Sequence, residues 1–230
     1  MTTIRISDGI IKDEFLVLGL ASKSGKGSLQ IESGDIKLEE KNLPQILADL
    51  GATGKADEVI RIPGTTARIL VFTGLGEAKP RYTDETLRRA AGAAARSLSG
   101  NSSATFSLPA TELSAVRAIA EGAGLGSYLF DQFRGSTKSA QKSPLKTITI
   151  YSSLVSGADA KALAHHAEVI SKYTNLVRDL INTPPSHLTP ASFCSMMSDA
   201  VKDAGGASVG LKVSTMTDPQ LKSKGFGGIV

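Results

Sequence analysis

Two stretches of uninterrupted apolar residues constrain this chain more than any other feature. Residues 15–20 read Phe-Leu-Val-Leu-Gly-Leu and residues 69–72 read Ile-Leu-Val-Phe. Runs this short, apolar on both faces and bounded by turn residues, read as strands at the centre of a sheet. Weaker strand signals surround them: 3–6, which alternates, 58–62, 104–108 and 147–151 (Thr-Ile-Thr-Ile-Tyr). Asp8-Gly9 and Pro63-Gly64 supply turns.

Helical patterns fill the intervals. Residues 44–50 form a short helix with Leu43, Ile46, Leu47 and Leu50 inward and Gly51 at its C-terminal end. The spacing predicts an alanine-rich helix over 83–98, with Thr83, Asp84 and Glu85 suited to its N-terminus, and a second over 111–130. The latter contains Gly122-Ala123-Gly124-Leu125-Gly126, whose glycines weaken a helix unless something packs closely on them; tight helix–sheet packing is the expected reason. Strands alternating with helices up to Ser153 describe an α/β domain with a mostly parallel or mixed sheet. Ser152 to Gly157 forms the expected boundary, so the first domain covers residues 1–156.

A long helix is predicted next as a linker, residues 157–182. Asn182-Thr183-Pro184-Pro185 ends it, because proline donates no backbone N–H. Thr189 then offers an N-cap and Pro190 suits the first position of another helix. Gly205-Gly206 closes that helix, residues 209–213 alternate as a strand, and 218–224 make a last short helix. Residues 183–230 therefore open a second α/β domain without finishing it.

Motifs for chemistry are scarce. Ser24-Gly25-Lys26-Gly27-Ser28 suggests a phosphate cradle, but a Walker A loop needs glycine where Leu20 stands and Ser or Thr where Gly27 stands; a surface loop is expected. Thr73-Gly74-Leu75-Gly76 is expected to leave the carboxyl end of a central strand, where α/β folds hold ligands, yet it lacks the third glycine of a dinucleotide fingerprint. His165 and Glu168 could share a helix face, beside His166, but two ligands do not make a catalytic metal site. His187 lies in the proline-rich elbow. No HExxH or G-x-S-x-G pattern occurs, and Cys194, expected inside its helix's core, has no basic neighbour to activate it.

Composition narrows the class. The 230 residues are 41% hydrophobic, enough for a sizeable core, and no apolar run approaches the ~20 residues that span a bilayer. With no signal-peptide core and a single cysteine, a cytoplasmic protein without a membrane association is expected. A net charge of +4 admits nucleic acid as a partner, but aromatics are only 5% and the basic residues are scattered. Lys138, Lys142 and Lys146, the densest group, read as a solvated loop.

The elbow carries a family resemblance. Arg178-Asp179-Leu180-Ile181-Asn182-Thr183-Pro184-Pro185, with Leu188-Thr189-Pro190 behind it, resembles the opening of the catalytic domain of leucyl (cytosol) aminopeptidases. Leu221-Lys222-Ser223-Lys224-Gly225-Phe226-Gly227-Gly228 resembles the next landmark of that domain, in order and at a fitting spacing. The resemblance implies a macro-domain-like N-terminal α/β domain with a central mixed sheet, a linker helix and an incomplete second α/β domain. It implies metal-dependent removal of N-terminal amino acids, preferably leucine, from peptide substrates, by a homo-hexamer holding two divalent metal ions, manganese or zinc. The family's ligand segments, a Gly-Lys-Gly stretch with Phe-Asp-Ser-Gly-Gly and Asn-Thr-Asp-Ala-Glu-Gly-Arg, are not in this sequence; Gly25-Lys26-Gly27 has the wrong flanks and position. No catalytic, cofactor-binding or metal-ligating residue is therefore carried over, and the chain as it stands is expected to be an inactive, truncated piece of an aminopeptidase. The alternative is a non-catalytic α/β module that binds nucleic acid or a nucleotide-like ligand.

Overall fold

The computed structural model describes residues 2–9, 13–23 and 28–228. Two compact units divide them, Met1–Val177 and Arg178–Val230.

In the first unit, β1 (Thr3–Ser7), β2 (Phe15–Ser22), β3 (Leu29–Glu32), α1 (Leu43–Asp49), β4 (Val59–Pro63), β5 (Ile69–Glu77), α2 (Asp84–Ser97), β6 (Ser103–Ser107), α3 (Leu113–Gly126) and β7 (Thr147–Tyr151) precede the long helix α4 (Gly157–Asn182). The described strands form one mixed sheet in the order β1-β7-β6-β2-β5-β4, with β3 on β2. All neighbours on that path are parallel except β4–β5, while β3 runs antiparallel to β2. β2 and β5 are central, as their two-faced apolar runs require, and side-chain alternation splits the core. Val17, Val71, Phe106, Ile148 and Ile150 face α2, α3 and α4. Leu16, Leu18, Leu20, Leu70 and Phe72 face α1 and the segment around Ile36.

Local chemistry explains the helix ends. Thr83 accepts a hydrogen bond from the Thr86 amide, and Asp84 and Glu85 lie at the positive end of α2. α1 has only two turns, so it presents Leu43 and Leu47, one turn apart, to the sheet; Ile46 and Leu50, expected inward, are exposed. α3 is shorter than the predicted 111–130. Glu112 in extended backbone starts it, and at its glycine-weakened end Ser127 bonds the Ala123 carbonyl through its hydroxyl at 2.9 Å.

β5 continues through Thr73-Gly74-Leu75-Gly76 instead of ending before it. The reason is pairing: β2 runs beside it as far as Ser22, and the turn at residues 53–58 lies directly over it. A Cβ on Gly74 would stand 1.7 Å from the Lys55 carbonyl oxygen, so that turn can approach only a glycine. The glycines of α3 also differ from expectation, since they face a helix. Cβ atoms on Gly122 and Gly126 would stand 2.1 Å from the Arg88 and 2.3 Å from the Gly92 carbonyl oxygens of α2. Only Gly124 points elsewhere, toward Ser171 of α4 and Ile4 of β1.

α4 buries Ala160, Ala164, Ala167 and Ser171 within the first unit, whose limit falls inside the helix at Val177.

The second unit holds α5 (Pro190–Asp203), a short turn at Gly206–Val209 and α6 (Asp218–Ser223). A reciprocal capping box between Thr189 and Ser192, with Pro190 following, starts α5. Residues 210–213, expected as part of a strand, have no strand structure, because no described strand lies beside them to complete a ladder. Cys194 is half-buried, not in a core: α5 has no fully buried residue.

Candidate functional site

In open α/β sheets the ligand crevice lies beyond the carboxyl ends of the strands, where neighbouring crossovers diverge. Here β6 accompanies β2 only as far as Leu18 opposite Ser107. Beyond that point the chain itself takes the place, because β3 pairs with Gly19–Ser22. The turn after β3 is fastened down: the Ser107 hydroxyl donates to the Ser33 carbonyl at 2.6 Å, and Asp35 accepts from the Ser153 amide at 2.9 Å and hydroxyl at 2.7 Å. The Tyr82 hydroxyl donates to Glu32 at 3.1 Å. Burial, reinforced by the Glu32 charge, pushes that phenol up to about 12, so it remains a proton donor. The crevice is thus filled by β3 and the segment behind it.

The side chains singled out by sequence are dispersed. Glu168 accepts a hydrogen bond from the Ile4 amide at 2.7 Å, so this carboxylate caps the edge of the sheet. His165 lines a groove beside it. His166 approaches Glu121 at 4.0 Å. Glu121, on α3, is the centre of a cluster that sequence reasoning missed. It accepts from Arg88 of α2 at 3.1 Å and lies 3.6 Å from Arg117, while Arg88 also pairs with Glu85 at 2.5 Å. Burial disfavours the Arg88 charge, but the hydrogen bonds it donates to both glutamates more than compensate and raise its pKa. The pairs within one helix, Glu85–Arg88 three residues apart and Arg117–Glu121 four apart, had a sequence signal; the Arg88–Glu121 bond between helices had none.

His187 meets the Ser186 hydroxyl at 3.0 Å. Lys138 lies 3.6 Å from Asp131, while Lys142 runs over Gly100. Gly25-Lys26-Gly27 lies outside the described residues, as does Ser24. Among the described residues no three His, Cys, Asp or Glu side chains gather in a way that could hold a metal ion. The residues present do not fit the pair of divalent ions that the resemblance implies. No described helix is long and apolar enough to cross a membrane.

Fold and site together define the class: a mixed-sheet α/β domain whose strand-end crevice is closed by its own β3, followed by a smaller helical unit. Comparison with known proteins makes this specific. Residues 17–137 match the N-terminal domain of the cytosol aminopeptidase family. The chain belongs to that family. It is 34% identical to a probable cytosol aminopeptidase of Streptomyces griseus, an alignment covering 100% of this chain and 48% of that protein. To the probable cytosol aminopeptidase of Rhodococcus jostii it is 38% identical over 94% of this chain and 42% of that one. The chain thus spans about half the length of the curated relatives it matches.

Among solved structures, a tomato leucine aminopeptidase mutant superposes with a TM-score of 0.64 at 20% identity, covering 88% of this chain and 42% of that one. The bottromycin maturation enzyme BotP in complex with Mn superposes with a TM-score of 0.61 at 22% identity, covering 84% and 37%. These two likenesses concern the fold.

Proposed function

We propose that this sequence belongs to a cytoplasmic, metal-dependent leucyl aminopeptidase that removes N-terminal residues from peptides. In this reading residues 1–156 are its accessory domain, 157–182 its linker helix and 183–230 the opening of its catalytic domain. The supporting observation is where apolar surface is buried. Every hydrophobic side chain in the described core lies at or before Ala167, so the first unit closes on itself. The second has no such residue and leaves Ile181 77% and Val209 60% exposed, along with Phe193, Leu211, Met216 and Phe226. Apolar surface of that extent calls for cover by further structure, and in this reading the length of the relatives that this chain does not match supplies it. The homo-hexamer and the pair of manganese or zinc ions belong to the same reading. We assign their ligands to no residue of this chain.

Two measurements test it. The purified 230-residue protein, supplied with manganese or zinc, should not hydrolyse leucine p-nitroanilide, whereas a chain extended to the relatives' length should; metal-dependent turnover by the shorter chain would overturn the assignment. Limited proteolysis should cut at residues 183–187 and leave a stable amino-terminal fragment. Equal protection of both units, in a monodisperse sample, would contradict it.

A further inference from the structure

We propose that the open edge of β1, with the flank of α4, is a binding site for an extended acidic peptide of a partner protein, which joins the sheet as an added strand. This rests on the first unit only and is independent of the aminopeptidase reading.

β1 is the outer strand of the path and pairs on one side, with β7. The Thr3 amide donates to the Lys146 carbonyl at 2.9 Å, and the Ser7 carbonyl accepts from the Ser152 amide at 3.0 Å. In a parallel ladder alternate residues bond to the same neighbour, so Thr3, Arg5 and Ser7 turn toward β7 while Ile4 and Ile6 direct their N–H and C=O groups outward. Glu168 demonstrates the direction, since its carboxylate sits on the Ile4 amide at 2.7 Å, where a neighbouring strand's carbonyl would otherwise stand. Among the described residues nothing takes the same position at Ile6.

That edge opens into a groove of about 440 Å³ lined by Ile4, Arg5, Ile6 and Ser7 on one side and by α4 on the other. Ala160 and Ala164 keep the helix wall low, leaving room for a strand's side chains. Lys161 stands on the α4 side of the groove, while Arg5 leaves β1 on the opposite face, because its neighbours Ile4 and Ile6 turn toward the core that α4 covers; among the described residues neither cation makes an ion pair. Two features choose the occupant. The outward carbonyls of Ile4 and Ile6 need donors, which a peptide backbone supplies and a phosphate does not. The two cations favour acidic side chains, and two β1 edges set against each other would bring Arg5 near its copy in a like-charge contact, which disfavours a second copy of this chain.

The test uses a fluorescein-labelled octapeptide of alternating Glu and Val, and its Lys and Val counterpart, titrated into the 230-residue protein and followed by fluorescence anisotropy at low salt. The acidic peptide should bind at least about tenfold more tightly than the basic one, and Arg5→Glu with Lys161→Glu should weaken it by a similar factor. Glu168→Gln keeps an acceptor for the Ile4 amide while removing a negative charge, so it should tighten binding. Hydrogen exchange at the Ile6 amide should slow in the complex. Equal binding of the two peptides, insensitivity to the charge reversals in variants with unchanged circular dichroism, or an unprotected Ile6 amide would each overturn the proposal. So would a concentration-dependent dimer of the protein alone that protects Ile6, which would make a second copy the occupant.

Discussion

Replacing Gly122 by alanine tests the contact between α2 and α3 directly. The new Cβ would lie 2.1 Å from the Arg88 carbonyl oxygen, 2.7 Å from its carbon and 2.8 Å from its Cα. These are backbone atoms of a helix and cannot rotate away, so the helices must part by about 1 Å before contacts return toward normal van der Waals separation. Overpacking of this kind costs about 1–3 kcal/mol. An alanine inside a helix recovers about 1 kcal/mol of propensity over glycine. The first effect should win, because parting the helices also loosens the Gly126–Gly92 contact and draws Arg88 away from Glu121, now 3.1 Å apart. A net loss of about 1–2 kcal/mol translates into a Tm lowered by roughly 2–8 °C for a domain of this size. Thermal unfolding followed by circular dichroism reads it. Gly135→Ala is the control: nothing lies within 4 Å of its Cβ position, so its Tm should stay within about 1–2 °C, as for most surface substitutions. If Gly122→Ala leaves Tm unchanged or raises it, helix propensity governs the site and the close-packing argument is wrong.

Three other outcomes follow from named contacts. Burial opposes the Glu40 charge, but hydrogen bonds from the Thr66 amide and hydroxyl and the Thr65 amide hold its carboxyl below the usual range. A depressed carboxyl contributes stability above its unfolded pKa and loses it as pH falls through the folded one; urea midpoints from neutral to acid pH should fall less steeply in Glu40→Gln. For Tyr82, ionising at about 12 against about 10 in an unfolded chain, the raised value means stability present below pH 10 and lost between the two; Tyr82→Phe should remove that part of the alkaline loss. Thr189→Ala deletes the capping box of α5 at about 1 kcal/mol, and the Ser192 amide should exchange faster while the first unit's amides do not change.

Whatever depends on neighbouring residues was legible in the sequence. Continuous apolar runs required β2 and β5 to lie inside a sheet, Thr83 and Thr189 marked helix starts through their own side chains, and Pro184-Pro185 stopped α4 by withholding donors. The segment 178–190 and the glycine-rich tail carried the family signal as well, because they are contiguous. Tertiary structure decided what depends on partners far along the chain. Residues 73–77 extend β5 because β2 and the 53–58 turn lie against them, and β3 exists because β2 runs on past the end of β6. The Gly122–Gly126 stripe meets a helix where a sheet was expected, since spacing shows that something comes close but not what. Residues 210–213 alternate like a strand yet form none, for alternation describes one face of a ladder and a ladder needs a second strand. Glu168 and Ile4, 164 positions apart, meet only after the fold brings α4 against the edge of β1; no periodicity could have paired them.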